Sequence, residues 1–248
     1  MKVGSPIAEG NTANIYLQDN HVIKVFKDHL PDTEALYEAE KQRHAYSCHL
    51  PVPNVIDVTK VDGKQAIIME YIKGKTLGDL ALGEVEKADH YMELSVDTQR
   101  SIHHIEAKSL EPMNEKLKRQ IEAASLLKKG QKRSLLEKLD RMEVDNSLCH
   151  GDFHLFNLIL SDHGIAIIDW VDSSAGDPRA DVYRTYLLYA GFSMEWADRY
   201  IRLYCERSGF SKEEVFAWAP IIAGARLSEN GSEEEHERLM EIVEDHCK

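Results

Sequence analysis

The hydrophobic pattern of this chain changes once, near Ile72, and the change limits the folds that the sequence can adopt. Before it, short apolar runs alternate with turn residues, which predicts β-strands. After it, apolar residues recur at helical spacing, interrupted by a short β signal at 149–169. We therefore expect an α+β protein with a small β-rich lobe at residues 1–72 and a larger helical lobe at 73–248.

Local signals place several elements within these two parts. Turn residues at 18–20 and 61–64 separate short apolar runs and predict two hairpins. A helix is predicted between the hairpins, at 33–47, with Asp32 as its N-terminal cap. In the helical part, the polar stretch 113–141 predicts two helices. The break between the two helices is expected at Gly130.

Composition excludes some classes of partner and compartment. The net charge of −13 disfavours binding to nucleic acid and to anionic lipid surfaces. The longest apolar run, 215–225, is too short to span a bilayer and predicts one buried helix. The four cysteines are far apart, as reduced thiols are, and the N-terminus lacks the apolar stretch of a signal peptide. We expect a cytoplasmic protein with no membrane or nucleic-acid partner.

The strongest chemical signal is the segment 150–157, His-Gly-Asp-Phe-His-Leu-Phe-Asn. Asp152 and Asn157 are five residues apart, and Asp169 ends an apolar strand twelve residues later. Phosphoryl transfer requires a carboxylate at the attacking hydroxyl group and oxygen ligands that hold Mg²⁺ on the phosphates. A loop followed by a hairpin can bring these three side chains around one small volume.

Two other interpretations of this segment remain open. Asp152 and Asn157 can be ordinary turn residues, with Asp169 merely ending a strand. Alternatively, His150 and His154 can bind zinc, although a third ligand is not evident in the sequence. The joint spacing of the two aspartates and the asparagine favours phosphoryl transfer over both.

The pattern H-G-D-x-H-x-x-N followed by I-D-W resembles the catalytic and metal-binding loops of the aminoglycoside phosphotransferase family. The resemblance implies a two-lobed, protein-kinase-like fold that uses ATP and Mg²⁺. It further implies that Asp152 is the catalytic base and that Asn157 and Asp169 are the magnesium ligands. His150 would brace the loop.

A lysine within an apolar strand is unfavourable unless it has a partner, and Lys24 lies between Ile23 and Val25. The resemblance implies that Lys24 holds the nucleotide phosphates and pairs with a glutamate of the following helix. Glu38 and Glu40 diverge by about 200° on a helix, so only one can face Lys24, and the spacing favours Glu38. Strand alternation could instead direct Lys24 to solvent.

The segment 67–72 resembles the hinge that binds adenine in kinases. The backbone carbonyl of Glu70 and the backbone amide of Ile72 would hold the base. Because main-chain atoms do this, a buried strand end explains the segment equally well.

The sequence Gly-Asp-Pro-Arg-Ala-Asp at 176–181 matches a further segment of the family. We interpret Asp177 and Asp181 as structural, with Asp177 capping a helix that begins at Pro178. His103, which lies in a predicted helix, is interpreted as a packed residue rather than a catalytic one.

The expected function is ATP- and Mg²⁺-dependent transfer of phosphate to a hydroxyl group of a small molecule, either an aminoglycoside-like antibiotic or a hydroxylated metabolite. Only seven residues separate Asp169 from Asp177, which leaves little room for an activation loop and argues against a protein kinase. A nucleotide-binding regulator without turnover and an atypical protein kinase remain the alternatives. The acidic stretch 229–245 suits either binding of a cationic amino-sugar or a solvated helix. The basic stretch 116–133 argues against a cationic substrate.

Overall fold

The computed structural model describes residues 3–143 and 145–246. Backbone contacts divide the chain into two compact units. The first contains the residues up to Tyr91 together with Leu155–Asp172, and the second contains Met92–His154 and the residues from Ser173 onward. The lobe boundary near Ile72 is a different division of the chain, and it stays a prediction.

Strands and helices are numbered in chain order. The strands are β1 (Ala8–Glu9), β2 (Ala13–Gln18), β3 (His21–Phe26), β4 (Val55–Val61), β5 (Lys64–Glu70), β6 (Lys75–Thr76), β7 (Ser147–Cys149), β8 (Leu158–Ser161), β9 (Gly164–Ile167) and β10 (Ser174–Gly176). The helices are α1 (Glu34–Ser47), α2 (Leu77–Gly83), α3 (Ala88–His103), α4 (Met113–Ala123), α5 (Lys129–Leu139), α6 (Pro178–Phe192), α7 (Met194–Ser208), α8 (Lys212–Phe216), α9 (Ala219–Arg226) and α10 (Glu233–His246).

The first unit is built on an antiparallel sheet with strand order β1-β2-β3-β5-β4, against which α1 packs. Both predicted hairpins are confirmed. In the β2–β3 turn, Asp19 and Asn20 both have positive φ, 49° and 62°, the conformation that matches the twist of a two-residue hairpin. Buried Phe26, Ile67 and Ala39 lie in the core between the sheet and α1.

The prediction that Asp32 caps α1 is wrong by one residue. The helix begins at Glu34 with Thr33 at the cap position, and no side chain caps it. The carbonyl of Pro31 accepts a hydrogen bond from the N–H of Glu34 at 3.0 Å, so Asp32 lies inside a tight turn. Asp32 therefore precedes the position from which a side chain reaches the first free N–H groups.

A second, smaller sheet of the first unit has the order β6-β8-β9. The hairpin of β8 and β9 was expected from the sequence and is confirmed. Gly74 lies against this hairpin so closely that a Cβ atom at that position would be 2.2 Å from the carbonyl oxygen of Leu160. The sheet places Asn157 just before β8 and Asp169 just after β9.

The second unit is mainly helical, with α4–α10 and the antiparallel pair β7–β10. The two helices predicted in 113–141 are present, but the break falls at 124–128 and not at Gly130, which lies in the first turn of α5. The run 215–225 forms parts of two helices, not one. Pro220 has no N–H to donate to a preceding turn, and it occupies the first turn of α9.

Among residues 3–143 and 145–246, no helix has the length and apolar character needed to cross a lipid bilayer.

Candidate active site

A buried ion pair joins β3 to α1 in the first unit. The Nζ atom of Lys24 is 2.6 Å from Oε1 of Glu38, and the two residues are 8% and 2% exposed. Glu40 lies on the exposed side of α1. Lys24 therefore pairs with Glu38 rather than with Glu40, and it does not point to solvent.

The same lysine contacts Asp169, which follows β9. The distance from Nζ of Lys24 to Oδ1 of Asp169 is 3.2 Å. Burial alone would lower the pKa of Lys24, but the carboxylates of Asp169 and Glu38 outweigh burial and raise that pKa above its ordinary value. The lysine is a fixed cation held between two carboxylates.

The backbone of Asp169 has φ +64°, in the left-handed region. Among residues with a side chain, aspartate and asparagine adopt this conformation most readily. The conformation turns the chain sharply at the end of β9, and the Asp169 side chain remains 38% exposed. One of its oxygens contacts Lys24, and a carboxylate with this exposure can still bind a cation.

Asn157 ends a short helical turn before β8 and is 7% exposed. Its carbonyl oxygen accepts a hydrogen bond from the N–H of Ile168 at 3.0 Å. Asn157 and Asp169 therefore lie at the same, open end of the β8–β9 hairpin. A side-chain amide oxygen and a carboxylate are the hard oxygen donors that Mg²⁺ prefers, so the residues at this end of the hairpin fit that ion.

The two predicted hinge residues follow the central strand β5. In the register of β3 and β5, Lys24 is opposite Ile67 and His21 is opposite Glu70. Glu70 and Ile72 line a cavity of about 500 Å³ together with residues of the β8–β9 turn. The role of these backbone atoms in binding adenine stays a prediction.

Asp152 belongs to the second unit, in the loop that follows β7. Gly151 has φ +82°, a conformation that glycine adopts without strain. Two residues of α6 hold this glycine: Oδ1 of Asp181 accepts from its N–H at 2.8 Å, and Nε of Arg184 donates to its carbonyl. The carboxylate of Asp152, 28% exposed, is thus carried by a loop with a fixed backbone.

Asp181 anchors this loop, a role that the sequence interpretation missed. Its Oδ2 atom is 2.9 Å from Nε2 of His103, and Nδ1 of His103 is 2.6 Å from the hydroxyl of Tyr204. Burial would raise the pKa of Asp181, but hydrogen bonds from His103, Gln99 and the Gly151 amide lower that pKa to about 2. The sequence did contain a signal for this role: an aspartate between apolar residues of a helix, where a carboxylate is unfavourable unless it has a partner.

The expected cap at Asp177 is confirmed, because its side chain accepts a hydrogen bond from the N–H of Arg179. The prediction for His103 as a packed, buried helix residue agrees with its 8% exposure.

The zinc interpretation gains no support. In the described part of the chain, the group with suitable spacing for a metal is His103, Cys149 and Asp181, which includes neither His150 nor His154. Burial raises the pKa of Cys149 well above its usual value, so it is a thiol rather than a thiolate ligand.

Comparison with known proteins gives a consistent result. The model of the phosphotransferase enzyme family matches residues 3–220. No curated protein sequence gives a significant match.

Similar solved structures include aminoglycoside phosphotransferase APH(4)-Ia, with TM-score 0.73 and 15% identity, covering 98% of this chain and 92% of that one. ADP-bound aminoglycoside phosphotransferase APH(2'')-Ib has TM-score 0.60 and 18% identity, covering 100% and 93%. Amicoumacin kinase hAmiN has TM-score 0.64 and 13% identity, covering 98% and 87%.

At these identities the structures show the fold, and the expected α+β, protein-kinase-like fold is confirmed. The family match covers most of the chain and confirms the resemblance read from the two loops. This chain belongs to the phosphotransferase enzyme family and is a kinase with the fold of the aminoglycoside phosphotransferases.

Proposed function

We propose that this kinase transfers the γ-phosphate of ATP, with Mg²⁺, to a hydroxyl group of a small molecule. The observation that carries the proposal is the buried contact of Lys24 with Glu38 and Asp169. A kinase needs a fixed cation for the nucleotide phosphates next to a carboxylate that can hold a metal ion.

The first unit supplies the groups for the nucleotide. Lys24, kept charged by Glu38, binds the phosphates. Asn157 and Asp169 hold Mg²⁺, which neutralises charge on the phosphates when it is bound. The backbone of Glu70 and Ile72 binds the adenine base.

Asp152 serves as the base. Its carboxylate orients the acceptor hydroxyl and takes its proton as the oxygen attacks the γ-phosphorus; the bond from that phosphorus to the β–γ bridging oxygen breaks, and ADP leaves. Since Asp181 and Arg184 fix both polar groups of the Gly151 backbone, the carboxylate is positioned before the substrate arrives.

Relatives of the same fold support the choice of cofactors. One structure of APH(4)-Ia is a ternary complex with AMP-PNP and hygromycin B, and the amicoumacin kinase structure contains AMP-PNP and Ca²⁺. By analogy, this chain binds an adenine nucleotide with a divalent cation and an acceptor that is an antibiotic or a hydroxylated metabolite. The negative net charge argues against a nucleic-acid partner.

The test is a screen for ADP release with ATP, Mg²⁺ and a panel of hydroxylated metabolites and antibiotics. Asp152→Ala should lower the turnover by about 10²–10⁴-fold or more, while nucleotide binding is kept. The matched control is Asp57→Ala, an exposed aspartate of β4. Equal turnover of Asp152→Ala and wild type would overturn the assignment of the base.

The same screen separates the two alternatives. ATP binding without any phosphorylated product would indicate a regulator without turnover. Phosphate incorporated into protein instead of a small molecule would indicate an atypical protein kinase.

A further inference from the structure

The helix α1 presents buried polar side chains on one face. Glu38, Lys41 and Gln42 are 2%, 4% and 1% exposed, and a spacing of three and four residues places them on the same side of the helix. The buried apolar residues of α1 are all alanine, at positions 35, 39 and 45. Because alanine buries little apolar surface, the position of α1 depends strongly on the contacts of its polar side chains.

Lys41 connects α1 to the segment that follows Asp169. Its Nζ atom donates to the carbonyl oxygen of Val171 at 2.7 Å and lies 4.3 Å from the centroid of the Tyr37 ring. A helical lysine usually keeps its ammonium group in water, and a buried one is unfavourable unless it has partners. The buried ammonium group of Lys41 therefore makes a specific contact with the backbone, two residues after Asp169.

The chain is held on both sides of Asp169. Before it, the N–H of Ile168 donates to the carbonyl of Asn157, the other predicted magnesium ligand, at 3.0 Å. After it, Trp170 is fully buried. The hydrogen bond from Lys41 then fixes the carbonyl of the next residue. The backbone that carries the Asp169 carboxylate thus has fixed points before and after it.

The conformation of Asp169 requires such support. Its φ of +64° lies in the left-handed region, and a residue with a side chain keeps this conformation where the surrounding structure holds it. A change in φ would move the carboxylate relative to Lys24, from which it is 3.2 Å away. It would also move the carboxylate relative to Asn157 at the open end of the hairpin. The direction of the carboxylate therefore depends on the contacts that hold this turn.

We propose that Lys41 is a positioning residue for the metal ion. By holding the carbonyl of Val171, it keeps Asp169 in the conformation in which the carboxylate can bind Mg²⁺. Since α1 also carries Glu38, one helix then orients both the lysine for the nucleotide phosphates and the carboxylate for the metal. The inference rests on the proposed function, because it takes Asp169 as a metal ligand.

The experiment measures the binding of a fluorescent ADP analogue, in EDTA and during a titration with Mg²⁺. Lys41→Met keeps the length of the side chain and removes the ammonium group. It should raise the Mg²⁺ concentration for the half-maximal effect by about 10- to 100-fold, as the loss of a group that orients a metal ligand does. The affinity in EDTA should stay close to that of the wild type, because the pair of Lys24 and Glu38 is kept.

Two other residues of α1 provide matched controls. Gln42 is as buried as Lys41, but its Nε2 atom donates to the carbonyl of Pro53 at 2.7 Å. Gln42→Met should therefore lower the temperature of thermal unfolding without changing the Mg²⁺ concentration at half effect. Arg43→Met removes an exposed charge from the same helix and should change neither quantity.

Further variants of Lys41 separate its charge from its packing. Lys41→Arg keeps a charged donor and should recover most of the Mg²⁺ response. Thermal unfolding checks that each variant is folded, and Lys41→Gln replaces Lys41→Met in the same titration if the methionine variant does not fold. Asp169→Asn gives the change expected when the metal ligand itself is lost.

The outcomes are distinct. A wild-type Mg²⁺ response in Lys41→Met, an equal change in Gln42→Met, or an equal change in Lys41→Arg would overturn this inference and leave the proposed function standing. Nucleotide binding by the wild type that does not respond to Mg²⁺, or a wild-type response in Asp169→Asn, would count against the proposed function, and the inference would fall with it.

Discussion

At the scale of single residues, one lysine of the first unit stabilises two carboxylates. Lys24 lies between Glu38 and Asp169, and removing the lysine leaves both carboxylates without this partner, while removing either carboxylate leaves the buried lysine with one partner instead of two. The sequence predicted the lysine from its apolar neighbours and Glu38 from helix geometry. Lys24 and Asp169 are 145 residues apart in sequence, so no local sequence pattern predicts their contact. Only the family resemblance placed these two residues in one site.

Glu38→Gln tests this arrangement. The substitution removes the partner at 2.6 Å, so Lys24 should turn towards Asp169 and weaken the binding of the metal–nucleotide complex. We expect a higher KM for ATP and a free energy of unfolding lower by about 3 kcal/mol, measured by denaturant titration. Glu40→Gln, on the exposed side of the same helix, should leave both quantities unchanged. Equal effects of the two substitutions would contradict the role of the pair.

At the scale of elements, α6 is the support of the catalytic loop. It begins at Pro178 after the cap Asp177, and Asp181 and Arg184, in its first two turns, hold the backbone of Gly151. The Gly-Asp-Pro sequence predicted the start of the helix. The partner of Asp181 is 30 residues away in sequence, so the interpretation of Asp181 as merely structural missed its contact with the loop.

Asp177→Ala should weaken the start of α6. Its side chain accepts a hydrogen bond from the N–H of Arg179 at 2.7 Å and also binds the Arg179 guanidinium. The loss should lower the free energy of unfolding by about 1–2 kcal/mol. Ser193→Ala is the comparison, since Ser193 occupies the cap position of α7 without a side-chain hydrogen bond. A loss from Ser193→Ala as large as that from Asp177→Ala would show that the cap bond is not the cause.

At the scale of the whole molecule, local signals and long-range pairing differ in what a sequence can reveal. Hairpins and helices follow from turn residues and spacing, and most were predicted within a few residues. The division into these two compact units was not predicted. β6 pairs with β8, and this pairing brings Leu155–Asp172 into the same unit as the N-terminal residues. Strand pairing across such distances is determined by packing and not by any local composition.

The buried carboxylate of Asp181 should make stability depend on pH in acid. Its pKa is lowered to about 2 in the folded protein from an ordinary value of 3.8. A lowered pKa means that the unfolded chain binds the proton more readily, so stability is kept above about pH 4 and lost progressively towards pH 2. The loss should be about 2 kcal/mol. Denaturant titrations between pH 5 and pH 2 measure it.

Asp181→Asn is the control for this titration, because asparagine has no carboxyl group to protonate. The variant should be less stable at pH 5 and should have a flatter pH dependence in acid. A wild-type stability that stays constant between pH 4 and pH 2, or a variant with an unchanged slope, would contradict the assignment to Asp181.

The left-handed backbone of Asp169 determines which substitutions are informative there. In a mutational scan, most amino acids at this position would combine the loss of a carboxylate with a backbone penalty of about 1–2 kcal/mol, and their phenotypes would not distinguish the two. Asparagine keeps the conformation and removes only the charge, while glycine keeps it and removes the whole side chain. A library at position 169 is therefore best interpreted through these two members, with alanine as the least informative choice.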